Sequence, residues 1–382
     1  MDLALNETQL MLQTMAREFA SAELSPRIVR AIDESKTGHS AELWGKITEL
    51  GFAGMLIPEA HGGTGNTLTE LAVVFEALGY AACPSPLLAQ VLCADVVRAV
   101  ATPAQQSALL PALATGEGLA AFAMTEPDYG WGAADIQMAG APDGDGLVLD
   151  GEKTFVPYAA VADDLLVLVR TAPGGPPERG LTLARVDGEA RGIGIRRQRG
   201  WLGEPVCVVT FDGVRADVLG QVGEAWPGVA TALDRATALL AAYMLGGSQA
   251  ALDTAIEYSK TRMAFGQPIG TFQRVQDLII RALNDTDATR WTVYEALWKL
   301  DEGREGAALA VSMAKAVASE GFQQSCENAI YVHAGAGMDL DYGLTTHTKR
   351  SKFYGHYLGD AIHHKLRMAR LLGLEPGQEP GS

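Results

Sequence analysis

The sequence predicts an α+β protein with a helical N-terminal domain, a middle β-barrel or antiparallel sheet domain, and a C-terminal four-helix bundle. Three observations lead to this prediction. Apolar residues recur at helical spacing up to residue 118, short strand-like runs fill residues 119–225, and longer helical patterns return over residues 226–382. No strand alternates with a helix, which argues against a Rossmann-type nucleotide fold. We therefore expect three domains, over residues 1–118, 119–225 and 226–382.

The first segment is predicted to be entirely helical. The stretches TQLMLQTMAREFASAEL and SAELWGKITELGFAGML both repeat apolar residues at helical spacing. Ser40, followed by Glu42 and Leu43, resembles the start of a helix. The stretch PEAHGGTGNT predicts a glycine-rich loop between helices, and it lacks the lysine that a phosphate-binding loop requires.

The middle segment carries the signals of a sheet. Short runs, several of them rich in β-branched residues, predict strands, and turns such as APDGDG and TAPGGPPERG separate them. The runs are LAAFAMTE, LVLDGEKTFVP, DLLVLVRT, LTLARVD and PVCVVTFDGV.

The third segment contains the longest helical patterns. The first of them, WPGVATALDRATALLAAYMLGGSQAALDTAIEYSKTR, places Gly246 and Gly247 among other small residues at close spacing. Small residues allow two helix axes to approach each other, so we predict tight helix packing at this point.

The composition limits the class of protein. With 382 residues, 48% of them hydrophobic and 20% charged, the chain can bury a large core. Its net charge of −16 argues against a nucleic-acid binder, which needs a dense cationic surface. The N-terminal MDLALNETQL has no basic region before an apolar run, and the richest apolar stretch, TALLAAYMLGG, is too short to span a bilayer. We expect a cytoplasmic protein without a membrane or nucleic-acid partner.

The cysteines give no sign of a metal or disulfide framework. They are scattered without CxxC spacing, and we interpret them as buried small hydrophobic residues in a reducing compartment. They are Cys83, Cys93, Cys207 and Cys326.

Two turns between helices carry residues suited to a cofactor. Arg262 is suited to bidentate phosphate contacts, Phe265 to stacking on a planar ring, and Gln273 opens a helix whose N-terminus can hold an anion. Taken alone, this stretch is more typical of a capped surface turn. In AIYVHAGAGMD, Gly335 follows a helix, either as a glycine C-cap or as backbone that approaches a ligand closely.

A metal site is considered and set aside. His356, Asp360 and either His363 or His364 share one helical face, but no fourth ligand suggests itself. We expect no metal, and ordinary polar or partner-facing roles for these residues.

Taken together, these stretches resemble the acyl-CoA dehydrogenase family of FAD flavoproteins over nearly the whole chain. The most specific block is EYSKTRMAFGQPIGTFQ, which matches the family's Arg-x-x-Phe-Gly-x-x-[IL]-x-x-x-Gln. MTEPDYG resembles the Thr-Glu-Pro flavin loop, and GEKTFVPYAAVADDLLVLVR the strand pair that carries Trp-Ile-Thr or Trp-Ile-Ser. VHAGAG resembles the His/Phe-Gly-Gly-x-Gly turn, with Ala334 in place of its first glycine.

The resemblance implies the chemistry and the cofactor. In the family, a carboxylate removes the α-proton of an acyl-CoA thioester while a hydride passes from the β-carbon to FAD, and a flavoprotein accepts the electrons. It also implies, position by position, a set of FAD-binding residues. They are Met124, Thr125, Phe155, Arg262, Phe265, Gln273, Tyr331 and Gly335.

The sequence departs from the family where the catalytic base is expected. The base commonly stands in Tyr-Glu-Gly-Thr, and here that segment holds Leu358. A second known location aligns with Ala236, and the arginine that often follows it aligns with Thr237. Asp234 is the nearest acid on that helix, so Asp234 and Thr237 are the expected substrate-facing positions and the catalytic base is not assigned.

Other contacts to a flavin bound by the same chain are also altered. Phe155, Val156 and Pro157 align with Trp-Ile-Thr, and the proline removes both a hydroxyl and a backbone donor. Trp131 falls where the flavin loop of the family has serine. By contrast, the resemblance implies that Arg262, Phe265, Gln273 and the Gly335 turn reach the flavin of a neighbouring chain, and these are largely kept.

Three hypotheses follow. The favoured one is a subunit without the usual catalytic Glu in a heteromeric α2β2 enzyme. Residues 359–364 resemble the Gly-Asp-Ala-x-x-His segment of such enzymes, several of which act on steroid side-chain CoA thioesters. The second is a homo-oligomeric enzyme with a relocated base, and the third is a scaffold without flavin. The candidates for a relocated base are Asp234, Asp339, Asp341 and Asp360.

Overall fold

The computed structural model describes residues 4–198, 200 and 205–374. Contacts within the chain divide it into two compact units. The helical unit comprises the residues up to Arg30, Leu68–Cys83, and the residues from Thr237 onward; the sheet unit comprises Ala31–Thr67 and Pro84–Ala236. The division into three domains at residues 118 and 225 stays a prediction.

Helices dominate both ends of the chain, as the sequence predicts. The α-helices in the described residues are α1 (Glu7–Glu23), α2 (Pro26–Glu34), α3 (Ala41–Glu49), α4 (Leu68–Tyr80), α5 (Leu87–Val100), α6 (Pro103–Thr115), α7 (Trp226–Thr261), α8 (Gln273–Asp301), α9 (Ala307–His333), α10 (Leu344–His356) and α11 (Ala361–Leu371). None of these helices combines the length and the apolar character needed to cross a membrane.

The predicted helix starts are confirmed. Ser40 is the N-cap of α3, and its hydroxyl accepts a hydrogen bond from the backbone N–H of Leu43 at 3.2 Å. The long helix α7 ends just before Arg262, and α8 begins at Gln273.

All five predicted strand runs form strands, and four short strands, β2, β6, β8 and β9, escape the sequence analysis. The strands are β1 (Ala120–Ala123), β2 (Gly140–Asp143), β3 (Gly146–Pro157), β4 (Asp164–Arg170), β5 (Leu181–Asp187), β6 (Ile193–Arg197), β7 (Val206–Leu219), β8 (Met263–Ala264) and β9 (Gln267–Pro268). β2 lacks an alternating apolar pattern, and β6 has only Ile193 and Ile195 on its core face before two arginines, so both give little strand signal.

The main sheet has the order β1-β4-β5-β7-β3-β2, and β6 also pairs with β7. All of these pairs are antiparallel except β1 with β4, which is parallel. The sheet is therefore mixed, and its described strands do not close into a barrel. The parallel pair is possible because about forty residues, including the β2–β3 hairpin, separate β1 from β4 and allow the crossover.

The core of the sheet unit lies on one face of these strands. Alternating residues of β3, β4 and β7 supply buried Leu149, Val167 and Val209, each 0% exposed. Cys207 joins this core, and all four cysteines are buried and form no disulfide with one another. The interpretation of the cysteines as small buried hydrophobic residues is confirmed.

In the helical unit α9 is the central element, because α8, α10 and α11 all pack against it. α1 packs on α4, and α4 packs on α8. α4 and α7 approach so closely that a Cβ atom added to Gly246 would lie 1.9 Å from the carbonyl oxygen of Glu76. A Cβ on Gly79 would lie equally close to the carbonyl oxygen of Tyr243. The prediction of tight packing at Gly246 is confirmed.

Candidate functional site

The Thr-Glu-Pro loop follows β1 and is held by a buried lysine of β3. Lys153 is 0% exposed and donates from Nζ to the carbonyl of Met124 at 3.1 Å and to Glu126 Oε1 at 2.7 Å. The backbone N–H of Thr154 donates to the carbonyl of Thr125 at 2.8 Å. The predicted Met124 and Thr125 are therefore buried and fixed beside the end of β3.

Glu126 also organises the rest of this loop. Its carboxylate accepts hydrogen bonds from the backbone N–H groups of Gln137 and Met138, at 3.0 and 2.9 Å. Burial lowers the pKa of Lys153 to about 8, and the neighbouring Glu126 opposes that change. The sequence analysis did not predict this ion pair. The signals that could have indicated it were the glutamate of the Thr-Glu-Pro motif and the lysine two residues before Phe155.

Phe155 stands in an unusual backbone conformation at the end of β3. Its φ is +56°, the pairing of β3 with β7 shifts between Lys153 and Val156, and Tyr158 has a φ of +59°. The ring of Tyr129, from the flavin loop, meets the ring of Phe155 edge-on at 6.1 Å. The two segments that the family uses for the flavin are thus brought together in the sheet unit.

Arg262, Phe265 and Gln273 share one compact turn in the helical unit. The β8–β9 hairpin is closed by a hydrogen bond from the backbone N–H of Ile269 to the carbonyl of Arg262 at 2.9 Å. Phe265 has a φ of +53°, and its side chain is 95% exposed. Its ring contacts that of Phe272 edge-on at 6.0 Å, next to Gln273. An aromatic ring so exposed in a strained turn is available to a partner.

The turn at Gly335 adjoins the same end of the helical unit. The ring of His333, at the end of α9, stacks on Tyr258 of α7 at 4.1 Å, and Tyr331 is 67% exposed. The left-handed residue after the helix is Ala334, with a φ of +50°, and Gly335 has no positive φ. The glycine C-cap interpretation is therefore wrong, because the alanine in front of the glycine makes the turn.

The segment that should carry the base is locked, and its side chain is apolar. Leu358 is 6% exposed and has a φ of +58°, and its carbonyl lies 2.9 Å from His364 Nε2. Lys315, 0% exposed on α9, donates from Nζ to the carbonyls of Gly355 and Gly359 at 3.2 and 2.8 Å. Burial lowers the pKa of Lys315 to about 7 and that of His364 to about 3.

The second base location is equally unsuited to proton abstraction. Ala236 and Thr237 are 1% and 3% exposed on α7, and neither side chain carries a carboxylate. Asp234, two positions earlier, is half-buried. Neither family position therefore supplies a titratable acid.

The remaining predicted acids have other roles. Asp360 caps α11 and accepts from the backbone N–H of His363 at 2.7 Å, while Asp339 accepts from the backbone N–H of Asp341. Asp341 forms an ion pair with Arg30 at 2.8 Å. His356 is exposed whereas His364 is buried, so these two histidines do not share one face as their spacing suggested.

Backbone strain is concentrated in the segments that the motifs single out. Among the described residues, all non-glycine residues with positive φ except Ala82 lie in these segments. They are Tyr129, Phe155, Tyr158, Phe265, Ala334 and Leu358. Such conformations cost free energy and are retained mainly at functional sites, so they mark the same segments independently of the sequence motifs.

Three family models cover the chain in order. They are the acyl-CoA dehydrogenase N-terminal domain over residues 6–117, the middle domain over residues 121–214 and the C-terminal domain over residues 223–372. The probable acyl-CoA dehydrogenase YngJ of Bacillus subtilis is 30% identical over 383 residues, which is 97% of this chain and 100% of the relative. The chain belongs to the acyl-CoA dehydrogenase family. This acyl-CoA dehydrogenase is therefore an oxidoreductase that acts on a CH–CH bond.

Solved structures with the same fold cover almost the whole chain. PigA with FAD and proline has a TM-score of 0.91 and 28% identity, covering 98% of this chain and 100% of its own. A variant of the Tcur3481–Tcur3483 steroid ACAD has a TM-score of 0.86 and 31% identity, covering 96% and 98%. The ChsE4–ChsE5 complex from Mycobacterium tuberculosis has a TM-score of 0.88 and 26% identity, covering 99% and 100%.

The cofactor of this acyl-CoA dehydrogenase is FAD, which accepts a hydride when it is bound. The helical unit fits such a group, because it presents the exposed guanidinium of Arg262, the exposed ring of Phe265 and the N-terminus of α8. The sheet unit fits it less completely, since Pro157 has no backbone N–H to donate. The loop that Lys153 fixes remains able to present its backbone.

Proposed function

We propose that this chain is the subunit without the usual catalytic Glu in a heteromeric, FAD-dependent acyl-CoA dehydrogenase, and that a second family member supplies the base. The observation that carries the proposal is the turn at Leu358. A buried leucine, fixed by Lys315 and His364, fills the place where the family positions a carboxylate. A hydrocarbon side chain cannot remove the α-proton of a thioester.

The two sets of expected flavin-binding residues differ in how well they match the family, and this difference supports the proposal. The residues that would reach a neighbour's flavin keep their chemistry and are exposed, with Phe265 at 95%. The positions that would serve a flavin of the same chain carry Trp131 and Pro157 in place of hydroxyl groups. We expect this contrast between kept and altered positions if selection has acted only on contacts to a neighbour's flavin.

Two of the similar structures add support for the assembly and the substrate. One is a complex of two differently named proteins, and the other is described as a steroid ACAD. We accordingly propose an α2β2 assembly that acts on a bulky, steroid-type acyl-CoA and passes electrons to a flavoprotein acceptor. The four cysteines, which form no disulfide with one another, fit a reducing compartment, so we place this activity in the cytoplasm.

A relocated base is the competing proposal, and the contacts weigh against most of its candidates. Asp360 and Asp339 accept backbone hydrogen bonds as caps, and Asp341 is paired with Arg30. A base must be free to take a proton at the substrate, so these three aspartates are unsuited to that role.

The test compares the chain alone with the chain co-expressed with a family member that has Tyr-Glu-Gly-Thr. Flavin content by absorbance and dehydrogenation of a steroid-type acyl-CoA are measured on both preparations. We expect little activity from the chain alone, and activity from the complex with less than one flavin per chain. Asp234→Asn in this chain should leave the activity of the complex unchanged.

Two outcomes would contradict the proposal. Full turnover by the homo-oligomer that Asp234→Asn abolishes would identify a relocated base. A preparation that remains colourless and inactive with every base-bearing partner would favour the scaffold.

A further inference from the structure

A large cavity lies inside the helical unit, apart from every residue of the candidate site. Its volume is about 980 Å³, and α1, α2, α4, α7, α8 and the first turn of α10 line it. Pockets of roughly 300–1,000 Å³ are the size that holds small organic ligands.

The first acid of the cavity wall has both oxygens occupied. Glu76 Oε1 accepts from Arg290 Nη1 at 3.0 Å, and Glu76 Oε2 accepts from the hydroxyl of Tyr294 at 2.8 Å. The side chain of Glu76 is 7% exposed. Its charge is thus compensated within the wall.

The second acid, Asp253, accepts hydrogen bonds from two neutral groups. Asp253 accepts from the hydroxyl of Tyr80 at 3.1 Å and from Gln249 Nε2 at 2.8 Å. Gln249 in turn accepts from Arg290 Nη2 at 2.8 Å. The wall therefore forms one continuous hydrogen-bonded chain, in which Arg290 compensates the charge of Glu76, while Asp253 receives hydrogen bonds from neutral groups and keeps its charge.

One cation in the lining is not compensated. Arg17 of α1 forms no hydrogen bond or ion pair with any residue in the described part of the chain. Burial raises the pKa of Tyr80 and of Tyr294, and the positive charge of Arg17 acts in the opposite direction on both. The guanidinium therefore faces the same space as the polar chain.

Aromatic surface surrounds this cation. Trp291, Tyr80 and Tyr342 line the cavity and remain 55%, 44% and 41% exposed. The buried Nδ1 of His347, also in the lining, has no hydrogen-bond partner among the described residues. The cavity thus combines a free guanidinium, an unused imidazole nitrogen and flat apolar walls.

We propose that this cavity binds a small organic carboxylate with an aromatic or fused-ring body. The carboxylate pairs with Arg17, which presents a planar set of donors that match its two oxygens. The ring body packs against the exposed parts of Trp291 and the two tyrosines. This site is separate from the proposed function and does not depend on it.

The test uses naphthaleneacetate and its uncharged counterpart naphthaleneethanol as probes, titrated by calorimetry into the full chain. We expect the carboxylate to bind roughly tenfold more tightly, because it alone forms a charge-assisted pair with Arg17. Arg17→Gln should remove this difference. Arg27 is an exposed arginine of α2 that does not itself line the cavity, so Arg27→Gln should preserve the difference in affinity.

A second variant tests the location without touching the charge. Ser21→Trp places a large ring in the lining at an exposed position of α1, and it should abolish binding of both probes. The inference is overturned if titration with naphthaleneacetate gives no saturable binding heat. Equal affinity of the Arg17→Gln and parent proteins for naphthaleneacetate, or unchanged binding in Ser21→Trp, overturns it as well.

Discussion

Two buried lysines fix two of the segments that the sequence motifs single out. Lys153 ties the flavin loop to the end of β3, and Lys315 ties the turn around Leu358 to α9. Each ammonium group donates to backbone carbonyls, which are otherwise hard to satisfy inside a protein. At the residue scale, the two buried lysine side chains hold backbone segments in place through hydrogen bonds to their carbonyl groups.

Replacing Lys153 by Met should destabilise the protein. The change leaves Glu126, whose side chain is 12% exposed, without its cation and the carbonyl of Met124 without a donor. We expect a loss of about 3 kcal/mol in the free energy of unfolding, measured by urea denaturation.

The double variant Lys153→Met, Glu126→Gln provides the control. The amide oxygen can still accept from the backbone N–H of Met138, and no uncompensated charge remains. The double variant should therefore be more stable than Lys153→Met alone, and a double variant that is less stable would show that the ion pair is not the cause.

Lys315 should make stability depend on pH. Burial lowers its pKa from 10.5 to about 7, and Asp360 opposes that change. Above about pH 7 the unfolded chain binds more protons at this residue than the folded chain, so the free energy of unfolding should rise with pH. Lys315→Met should flatten the rise between about pH 7 and 8, as followed by the thermal midpoint.

Lys365→Met is the matched control for this measurement. Lys365 is exposed and pairs with Glu320, so its removal should leave the pH dependence unchanged. The same slope in Lys315→Met and in the parent protein would contradict the assignment.

Among the elements, α4 and α7 depend most directly on the absence of side chains. Gly246→Ala would place a Cβ atom 1.9 Å from the carbonyl oxygen of Glu76, and backbone on both sides cannot yield easily. We expect a loss of about 3 kcal/mol in the free energy of unfolding, measured by urea denaturation.

Gly45→Ala in α3 separates this effect from helix propensity. A Cβ atom at Gly45 would meet nothing within 4 Å, so alanine should raise stability by up to about 1 kcal/mol. A similar gain for Gly246→Ala would mean that the two helices do not approach as closely as the structure indicates.

For the whole molecule, we expect the β8–β9 hairpin to affect flavin binding in an assembly and not the stability of the isolated chain. Phe265 is 95% exposed, so Phe265→Ala should leave the thermal midpoint of the isolated chain unchanged. If the ring contacts a neighbour's flavin, the same change should lower the flavin content of the co-expressed complex, measured by absorbance.

Met263→Ala is the control, since Met263 lies on the same hairpin and is 55% exposed but has no ring to stack. It should leave the flavin content unchanged. Unchanged flavin content in Phe265→Ala would contradict a role of this residue at the cofactor.

The elements could be predicted from local patterns, because helical and strand spacing are properties of short stretches. The start of α3 at Ser40 and of α8 at Gln273 followed from capping and turn signals. The short β2 and β6 could not be predicted, since each is defined by its partner strand more than by its own residues.

The sequence by itself determined the family and the cofactor, because motif spacing and residue identity are written in the chain. Only the tertiary structure decided that Lys153 and Lys315 hold the flavin loop and the turn around Leu358, since each lies far along the chain from the carbonyls it binds. It also revealed the cavity beside Arg17 and the strain at Ala334. Burial and hydrogen bonding between distant residues depend on how the elements pack, and no local pattern specifies that packing.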